Sequence, residues 1–282
     1  MKRFRSIVSV LICALIVITV SGCKDEITEY PVEYGGAVLQ LAPNRIISMS
    51  DAVTSVIKLM GYDDRLIEGE FGTNLNPDIN AISAANPNLV LTTSAFSSDN
   101  AQKIINGGAE IAVLNLPVSY EGLKQFYIEL ASLLGGNITG KSVADRLIAD
   151  MDESFNNIGE FLKDKQQYTA VIFYEEGYAA AEGSLASDIL SKCGGKNLVG
   201  ESYELTYEGL QALNPDTIFV PAGMAAVVKS NEILKELSAV KNNHVFEIDI
   251  KGLNELGGGF MNTVYSMLEQ QFPDFLIKET EQ

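Results

Sequence analysis

Residues 139–163 read TGKSVADRLIADMDESFNNIGEFLK, a long stretch without proline. Apolar side chains recur along it at steps of three and four, at Val143, Leu147, Ile148, Met151, Phe155, Ile158 and Leu162. This spacing predicts a helix with one face that packs and one charged face. A helix of about 25 residues is about 37 Å long, the width of a small domain. The stretch therefore predicts a helix that can connect two folded bodies.

Apolar β-rich runs alternate with helical patterns on both sides of this helix. The strand patterns before it are 45–49, 89–92 and 111–114, and those after it include 170–174, 217–220 and 245–248. Such alternation predicts parallel β-α-β units. We therefore expect an α/β protein with two Rossmann-like lobes, at residues 43–136 and 166–282, joined by one long rigid α-helix at residues 137–165.

A local repeat supports two lobes of similar construction. Residues 79–90 and 208–219 each contain a short helical pattern, an Asn-Pro turn and an apolar strand, with the turns at Asn86-Pro87 and Asn214-Pro215. Proline ends a helix and redirects the chain, so one copy is only a common connection between a helix and a strand. Two copies at equivalent places predict two equivalent lobes.

The amino-terminal residues 1–22 predict a secretory signal. Lys2, Arg3 and Arg5 precede an apolar run at residues 7–20, which is shorter than the roughly 20 residues of a membrane span. Val20-Ser21-Gly22-Cys23 resembles the cleavage motif of bacterial lipoproteins, which implies that Cys23 is acylated and becomes the first mature residue. Residues 23–42 are expected to form a polar tether, with order beginning at Pro43.

Composition excludes several classes of function. Residues 1–22 hold three of the 20 Lys and Arg residues, so 17 remain against 37 Asp and Glu residues, a mature formal charge of about −20. This charge disfavours nucleic acid as a partner. Cys193 is the only thiol expected inside the fold, where it reads as a buried apolar side chain. His244 is the only histidine and lies in a polar turn, so no zinc- or manganese-type site is expected.

Several segments together resemble the substrate-binding proteins of ABC importers for iron complexes, haem and cobalamin, in which one rigid helix joins the lobes. The matching segments are 43–50, 61–67, both Asn-Pro segments, 187–190 with 194–198, and 240–246. The resemblance implies a non-catalytic monomer without a permanent cofactor. It also implies a cleft between the lobes for a small metal chelate. The partners it implies are a membrane permease and its ATPase, outside the cytoplasm.

The resemblance also suggests surface contacts with the permease. Relatives use one glutamate on each lobe to pair with arginines of the permease. Glu208 matches the position on the C-terminal lobe, whereas the equivalent on the N-terminal lobe is Asn80, which carries no charge. Asp78, two residues earlier, is the substitute that we expect.

The ligand is expected to be an iron chelate, with a ferric siderophore favoured and haem or cobalamin as alternatives. Haem-binding relatives carry a methionine where this chain has Leu75 and a histidine where it has Ala222, and neither residue here can bind iron. Only Arg45, Arg65 and Arg146 remain after residue 23, so a highly anionic catecholate fits poorly and a neutral hydroxamate complex or a corrinoid fits better.

Loops that follow the strands of such sheets open onto the cleft between the lobes. The ligand-binding residues expected on them are Met49, Ser50, Asn74, Leu75, Phe96, Tyr174, Tyr178, Met224 and Gly258. Met49 and Phe96 are equally compatible with a core position, and the two tyrosines with the surface. Glu175 and Glu176 form an acidic pair at the expected mouth of the cleft, facing either a cationic ligand or water.

Two other functions remain open from the sequence. A secreted α/β hydrolase shares the alternating pattern, but the chain has no Gly-x-Ser-x-Gly motif and His244 precedes the last strand. A lipoprotein that senses a ligand for a signalling receptor would use the same cleft. Loss of uptake on deletion would favour transport, and altered gene expression with intact uptake would favour sensing.

Overall fold

The computed structural model describes residues 27–275 and begins with a β-hairpin of β1 (Val32–Tyr34) and β2 (Ala37–Leu39). Val32, Ala37 and Leu39 are buried in the core of the N-terminal lobe. The expectation of a polar tether up to residue 42 is therefore wrong for this segment. The reason is that the apolar side chains at alternate positions are too few to give a clear local pattern, and they are buried only through contacts with distant parts of the lobe.

The N-terminal lobe contains a parallel three-stranded sheet of β3 (Ile46–Ser48), β4 (Leu89–Thr92) and β5 (Glu110–Val113), with β4 in the centre. All four residues of β4 are buried, as expected for a central strand covered on both faces. The connections contain α1 (Asp51–Leu59), a short 3₁₀ turn (Asp63–Arg65), α2 (Ile79–Ala85) and α3 (Ser98–Asn106). The predicted strand at 89–92 is confirmed residue for residue.

Two antiparallel helices, α4 (Tyr120–Gly135) and α5 (Thr139–Leu162), follow this sheet. The long helix predicted from the 139–163 pattern is confirmed. Glycine at two positions allows the helices to approach closely: a Cβ on Gly140 would lie 2.0 Å from the carbonyl oxygen of Ala131 in α4. A Cβ on Gly135 would lie 2.0 Å from the hydroxyl of Tyr62. The α4–α5 contact thus depends on residues without side chains.

The C-terminal lobe has a five-stranded sheet built around β6 (Tyr168–Glu175). One side of β6 pairs with β9 (Thr217–Val220), which pairs in turn with β10 (Val245–Glu247), all in parallel. The other side pairs with β7 (Tyr178–Ala179), antiparallel, and with β8 (Gly195–Asn197), parallel. The helices of this lobe are α6 (Leu185–Lys192), α7 (Tyr207–Leu213), α8 (Met224–Ser230), α9 (Ser238–Lys241), α10 (Ile250–Glu255) and α11 (Phe260–Gln271).

The two Asn-Pro segments have the same geometry. Helices α2 and α7 each contain seven residues and end at an asparagine in the left-handed conformation, Asn86 with φ 47° and Asn214 with φ 44°. The residue after each proline then forms a hydrogen bond to the neighbouring strand segment of its sheet. The side chain of Asn88 accepts the N–H of Arg45, just before β3, at 3.1 Å, and the side chain of Asp216 accepts the N–H of Thr169 in β6 at 2.8 Å. The repeat seen in the sequence is therefore a structural repeat of the two lobes, and the expected α/β class with two lobes and a connecting helix is confirmed.

The core also accounts for the single thiol. Cys193 follows α6 and is fully buried, and this burial raises the pKa of its thiol to about 12, so it stays protonated and unreactive at neutral pH. Within residues 27–275, none of the helices combines the length and the apolar character that a membrane span requires.

Gly140→Ala is expected to lower the free energy of unfolding by about 1–3 kcal/mol, because the added methyl group forces α4 and α5 apart. The matched control is Gly159→Ala in the same helix, where a Cβ meets nothing within 4 Å. Alanine has a higher helix propensity than glycine, so Gly159→Ala is expected to raise the free energy of unfolding by about 0.5–1 kcal/mol. Chemical denaturation followed by circular dichroism measures both. Equal changes in the two variants would contradict the close helix contact.

Candidate ligand-binding cleft

The two sheets bring the ends of their strands toward a common space. In the N-terminal lobe β3, β4 and β5 are parallel, so the loops that follow them leave from one edge. In the C-terminal lobe β6, β9 and β10 are parallel and likewise share one edge. Loops at the carboxyl ends of parallel strands form the usual ligand sites of α/β sheets.

A pocket of about 170 Å³ lies where these two edges meet. Its lining residues come from the loop after β5 (Leu116, Pro117, Val118), from the C-terminal lobe (Tyr174, Ser184, Leu185, Ala186, Tyr203) and from the end of α10 and the residue after it (Leu253, Asn254, Leu256). Small-molecule sites usually measure about 300–1,000 Å³. A ligand of that size would therefore extend beyond the pocket into the open part of the cleft.

The pocket walls are apolar and hydroxylated. Val118 is 64% exposed and Leu116 43% exposed on one side, and Tyr203 is 48% exposed on the other. The rings of Tyr174 and Tyr203 lie 6.4 Å apart and tilted by 31°, which gives one wall an aromatic surface. Burial raises the pKa of Tyr174, so its hydroxyl remains protonated and available as a hydrogen-bond donor. These walls suit a ligand with apolar faces and a few oxygen acceptors.

No Lys or Arg residue lines this pocket among the residues that the structure describes. Arg45 donates to the carbonyl of Asn86 at the start of the N-terminal sheet, and Arg65 donates to the carbonyl of Leu134 at the end of α4. Arg146 lies exposed on α5. All three arginines thus lie outside the pocket, and a multiply anionic ligand would find no compensating charge there.

The acidic pair at the end of β6 is exposed, and one member already has a partner. The hydroxyl of Tyr207 donates to Glu176 at 2.6 Å, and this hydrogen bond raises the pKa of Tyr207 to about 12. Within residues 27–275, no three His, Cys, Asp or Glu side chains come together as a site for a metal ion. The carboxylates therefore do not form a multidentate metal site in the described part of the chain.

Three of the expected ligand residues lie at the cleft edge of the N-terminal lobe. Met49 and Ser50 follow β3, and Ser50 precedes the first turn of α1. Met49 and Phe96 are half-buried and pack against the apolar cluster around Ile47, Phe71 and Ile82. Core packing thus accounts for much of these two side chains. Contact with a ligand stays a prediction for all three residues.

Asn74 and Leu75 lie on a turn in which Thr73 and Asn76 exchange backbone hydrogen bonds. Asn74 fixes this turn to the end of β4, because its side chain accepts from Thr92 at 2.7 Å and donates to Thr93 at 3.0 Å. Leu75 at the tip is 90% exposed. Asn74 therefore has a structural role, and Leu75 presents an unpartnered apolar side chain.

The remaining expected residues are dispersed over the C-terminal lobe. Tyr174 lines the pocket, and Tyr178 is 46% exposed on β7. Met224, in contrast, packs into the core of its lobe at the start of α8. Gly258 lines a different pocket of about 260 Å³ beside α5, with Leu59, Tyr127 and Met151 among its walls. The structure thus does not bring Met224 or Gly258 together with Tyr174.

Sequence reasoning missed three prominent wall residues, Leu116, Val118 and Tyr203. The first two directly follow β5, so the rule that loops after parallel strands line the cleft was sufficient to find them. Tyr203 lies six residues after the end of β8. It reaches the cleft because the backbone carbonyl of Tyr203 accepts the N–H of Ala179 in β7 at 2.8 Å.

Contacts between the lobes surround the base of the cleft. The carboxylate of Asp188 in α6 accepts the backbone N–H of Tyr120, the first residue of α4, at 2.7 Å. The ammonium group of Lys192, one turn later in α6, lies 4.7 Å above the Tyr120 ring. Ser55 in α1 donates to Glu255 in α10 at 3.1 Å. These contacts hold the two lobes together beside the helix that connects them.

The two candidate docking residues are not at equivalent positions. Asp78 is the N-cap of α2 and accepts the N–H of Ala81 at 2.9 Å, whereas the N-cap of α7 is Thr206. Counting from these caps, Asn80 is the structural equivalent of Glu208. Glu208 is exposed in the first turn of α7, and Asp78 is exposed but already engaged in capping.

A comparison with protein families matches residues 46–251 to the model of the periplasmic binding proteins. This chain belongs to that family. The match covers strands of both lobes and the whole connecting helix, so the predicted membership among two-lobed substrate-binding proteins is confirmed. Proteins of this family are typically non-enzymatic substrate-binding proteins.

Individual relatives agree with this assignment. The chain is 21% identical to the ABC transporter substrate-binding lipoprotein YvrC of Bacillus subtilis, over 90% of each chain. It is 26% identical to an iron-uptake system-binding protein of the same organism, over 66% of this chain and 62% of that one. Its fold matches the vitamin B12 binding protein BtuF of Vibrio cholerae with a TM-score of 0.65 at 17% identity, covering 81% of this chain and 96% of that one.

Asp188→Ala is expected to loosen the lobes, because it leaves the first N–H of α4 without its charged partner across the interface. The free energy of unfolding should fall by about 1–3 kcal/mol. Hydrogen exchange at the Tyr120 amide should become faster, as measured by NMR or mass spectrometry. Glu153→Ala, at an exposed carboxylate on α5, is the control and should leave exchange at Tyr120 unchanged. Unaltered hydrogen exchange at Tyr120 in Asp188→Ala would contradict a stabilising hydrogen bond between the lobes at this site.

Proposed function

We propose that this protein is the lipid-anchored receptor of an ABC importer that captures an iron chelate, with a neutral ferric siderophore of the hydroxamate type as the favoured ligand. The observation that carries this proposal is the pocket between the lobes, which has apolar and hydroxylated walls and no lining Lys or Arg residue among those described. A neutral metal chelate satisfies such walls without an unpaired buried charge.

Relatives support the class of ligand. The similar Bacillus subtilis protein is named for iron uptake, and BtuF is named for vitamin B12. The first name specifies iron, and vitamin B12 is a metal held inside an organic chelator. This chain has no cluster of donor side chains for a bare ion within residues 27–275. A chelator that supplies all the metal ligands removes the need for such donors.

A corrinoid is the second candidate, because Tyr174 and Tyr203 present aromatic surface to the pocket. Haem fits less well. By their resemblance to haem-binding relatives, Leu75 and Ala222 stand where a methionine and a histidine would bind iron, and neither side chain carries a donor atom. Haem propionates would in addition meet no lysine or arginine in the pocket.

The proposed location follows from the amino-terminal sequence. Acylation of Cys23 would hold the protein outside the cytoplasm on the cell membrane, close to a permease and its ATPase. Two chains on one cysteine give the stable attachment that a single chain does not. The protein would act as a monomer, one ligand at a time, with Glu208 as a contact to the permease.

In the first test, purified protein spanning residues 24–282 is incubated with a mixture of ferric hydroxamate and catecholate siderophores, haemin and cobalamin. Native mass spectrometry then identifies the complexes that form. We expect one-to-one retention of the hydroxamate complex. Retention of cobalamin alone would select the second candidate. Absence of every complex at micromolar concentration would overturn the metal-chelate proposal and favour another solute or a sensing role.

Val118→Glu is expected to weaken binding of the retained ligand at least about tenfold, or about 1.4 kcal/mol, because it places a carboxylate in the apolar wall of the cleft. Ile105→Glu makes the same change at a half-exposed position at the end of α3, away from the pocket, and should leave affinity unchanged. Isothermal titration calorimetry measures both. Equal affinities in the two variants would remove Val118 from the binding wall.

Glu208→Arg is expected to reduce uptake by cells strongly while leaving ligand affinity intact, because it reverses the charge of an exposed side chain that does not line the pocket. Glu269→Arg reverses a charge on the exposed face of α11 and serves as the control. Uptake of radiolabelled iron chelate measures both variants in a strain that lacks the native gene. Normal uptake with Glu208→Arg would discard this residue as a docking contact.

A further inference from the structure

The first described residues of the chain are fixed to the junction of α4 and α5. Glu29 accepts the N–H of Ile138 and the N–H of Thr139, each at 3.1 Å, and the Thr139 hydroxyl at 2.6 Å. These donors stand at the start of α5, and Ile138 in the N-cap position provides no side-chain acceptor. Glu29 therefore caps the connecting helix from a distance of 110 residues in the sequence.

Neighbouring residues reinforce this attachment. The side chain of Asn137 donates to the carbonyls of Thr28 at 3.0 Å and Pro31 at 3.1 Å. The hydroxyl of Tyr30 donates to the carbonyl of Leu134 at 3.0 Å. At Gly136 a Cβ would lie 2.3 Å from the Glu29 carboxylate, so only glycine permits this approach. Residues 28–31 thus belong to the rigid body of the N-terminal lobe.

The free length between this attachment and the proposed acylated cysteine is short. Four residues lie between Cys23 and Thr28, so the two are five Cα-to-Cα steps apart, and a fully extended chain spans at most about 3.6 Å per step, roughly 18 Å in total. If Cys23 is acylated, the α4–α5 junction therefore stays within that distance of the lipid headgroups. This step rests on the lipid anchor of the proposed function.

Three large apolar side chains are exposed at this same end of the lobe. Ile27 is 74% exposed, Leu41 78% and Ile138 52%. Ile138 adjoins the Glu29 carboxylate, and Ile27 lies two residues before it. Leu41 lies two residues before Pro43. The side chain of Arg65 donates both to the carbonyl of Pro43 and to the carbonyl of Leu134 at the end of α4, so it connects this segment to the same junction. We call these three residues the basal apolar face.

We propose that the basal apolar face, Ile27, Leu41 and Ile138, rests on the lipid bilayer and that Glu29 fixes this orientation by capping α5. The occupant is a lipid surface because the short connection to Cys23 keeps this face next to one. The attraction is apolar rather than electrostatic, since the mature chain, with 17 Lys and Arg residues against 37 Asp and Glu residues, does not favour anionic headgroups. Burial of exposed apolar side chains at the boundary between headgroups and acyl chains lowers the free energy of the system.

The chain contains no tryptophan, so a single introduced tryptophan is an unambiguous fluorescent probe. The probes are Ile138→Trp and Leu41→Trp, and the controls are Ile105→Trp and Ile233→Trp at other exposed apolar positions. The mature acylated protein, which begins at Cys23, is reconstituted in phosphatidylcholine vesicles with or without brominated acyl chains. We expect the bromolipid to quench both probes, with a blue shift of their emission, and to leave both controls unchanged.

Glu29→Ala combined with Ile138→Trp separates orientation from attachment. The double variant should still float with the vesicles through its lipid, but lose the quenching. If the two single-tryptophan probes bind vesicles but are not quenched, or are quenched no more than the controls, the basal apolar face is overturned while the anchor stays intact. Failure of the wild-type protein to float would overturn the anchor and the orientation together. Shielding of the probes only by the permease or by a second copy of the chain would also overturn the proposal.

Discussion

The close contact between α4 and α5 is the constraint on which the two-lobed arrangement depends. At Gly135 a Cβ would lie 2.9 Å from the Cα of Gly140, and at Gly140 it would lie 2.0 Å from the carbonyl of Ala131. The first turn of the connecting helix is thereby locked to the N-terminal lobe. The same helix continues for 24 residues to the C-terminal lobe, so a large change in the angle between the lobes would break hydrogen bonds within it.

The candidate cleft takes its geometry from the same elements. Helix α4 begins directly after the wall residues Leu116–Val118, and its first N–H is bound by Asp188 of the opposite lobe. Farther along α4, the hydroxyl of Tyr127 donates to the carbonyl of Leu256, another wall residue. The pocket walls are thus attached to the rigid junction of the lobes. A preorganised wall reduces the ordering cost of ligand binding.

Charge and apolar surface are segregated in this protein. The acidic residues give the chain a net charge of −17 and lie mostly at its surface, where they favour solubility. The pocket and the basal apolar face instead present leucine, isoleucine, valine and tyrosine. Clusters of exposed apolar side chains mark interaction sites in soluble proteins. The two surfaces lie at different ends of the N-terminal lobe, one at the carboxyl ends of its strands and one at the junction of α4 and α5.

The sequence by itself determined the alternation of strands and helices, the long connecting helix and the Asn-Pro repeat, because each depends on the spacing of neighbouring residues. It also determined that one histidine and one internal cysteine leave little scope for a metal site. Only the tertiary structure decided that Glu29 caps a helix 110 residues away, that Val32, Ala37 and Leu39 enter the core, and that Met224 is buried while Tyr203 is exposed at the cleft. Those outcomes depend on contacts between distant segments, and local periodicity carries no information about which distant segment arrives.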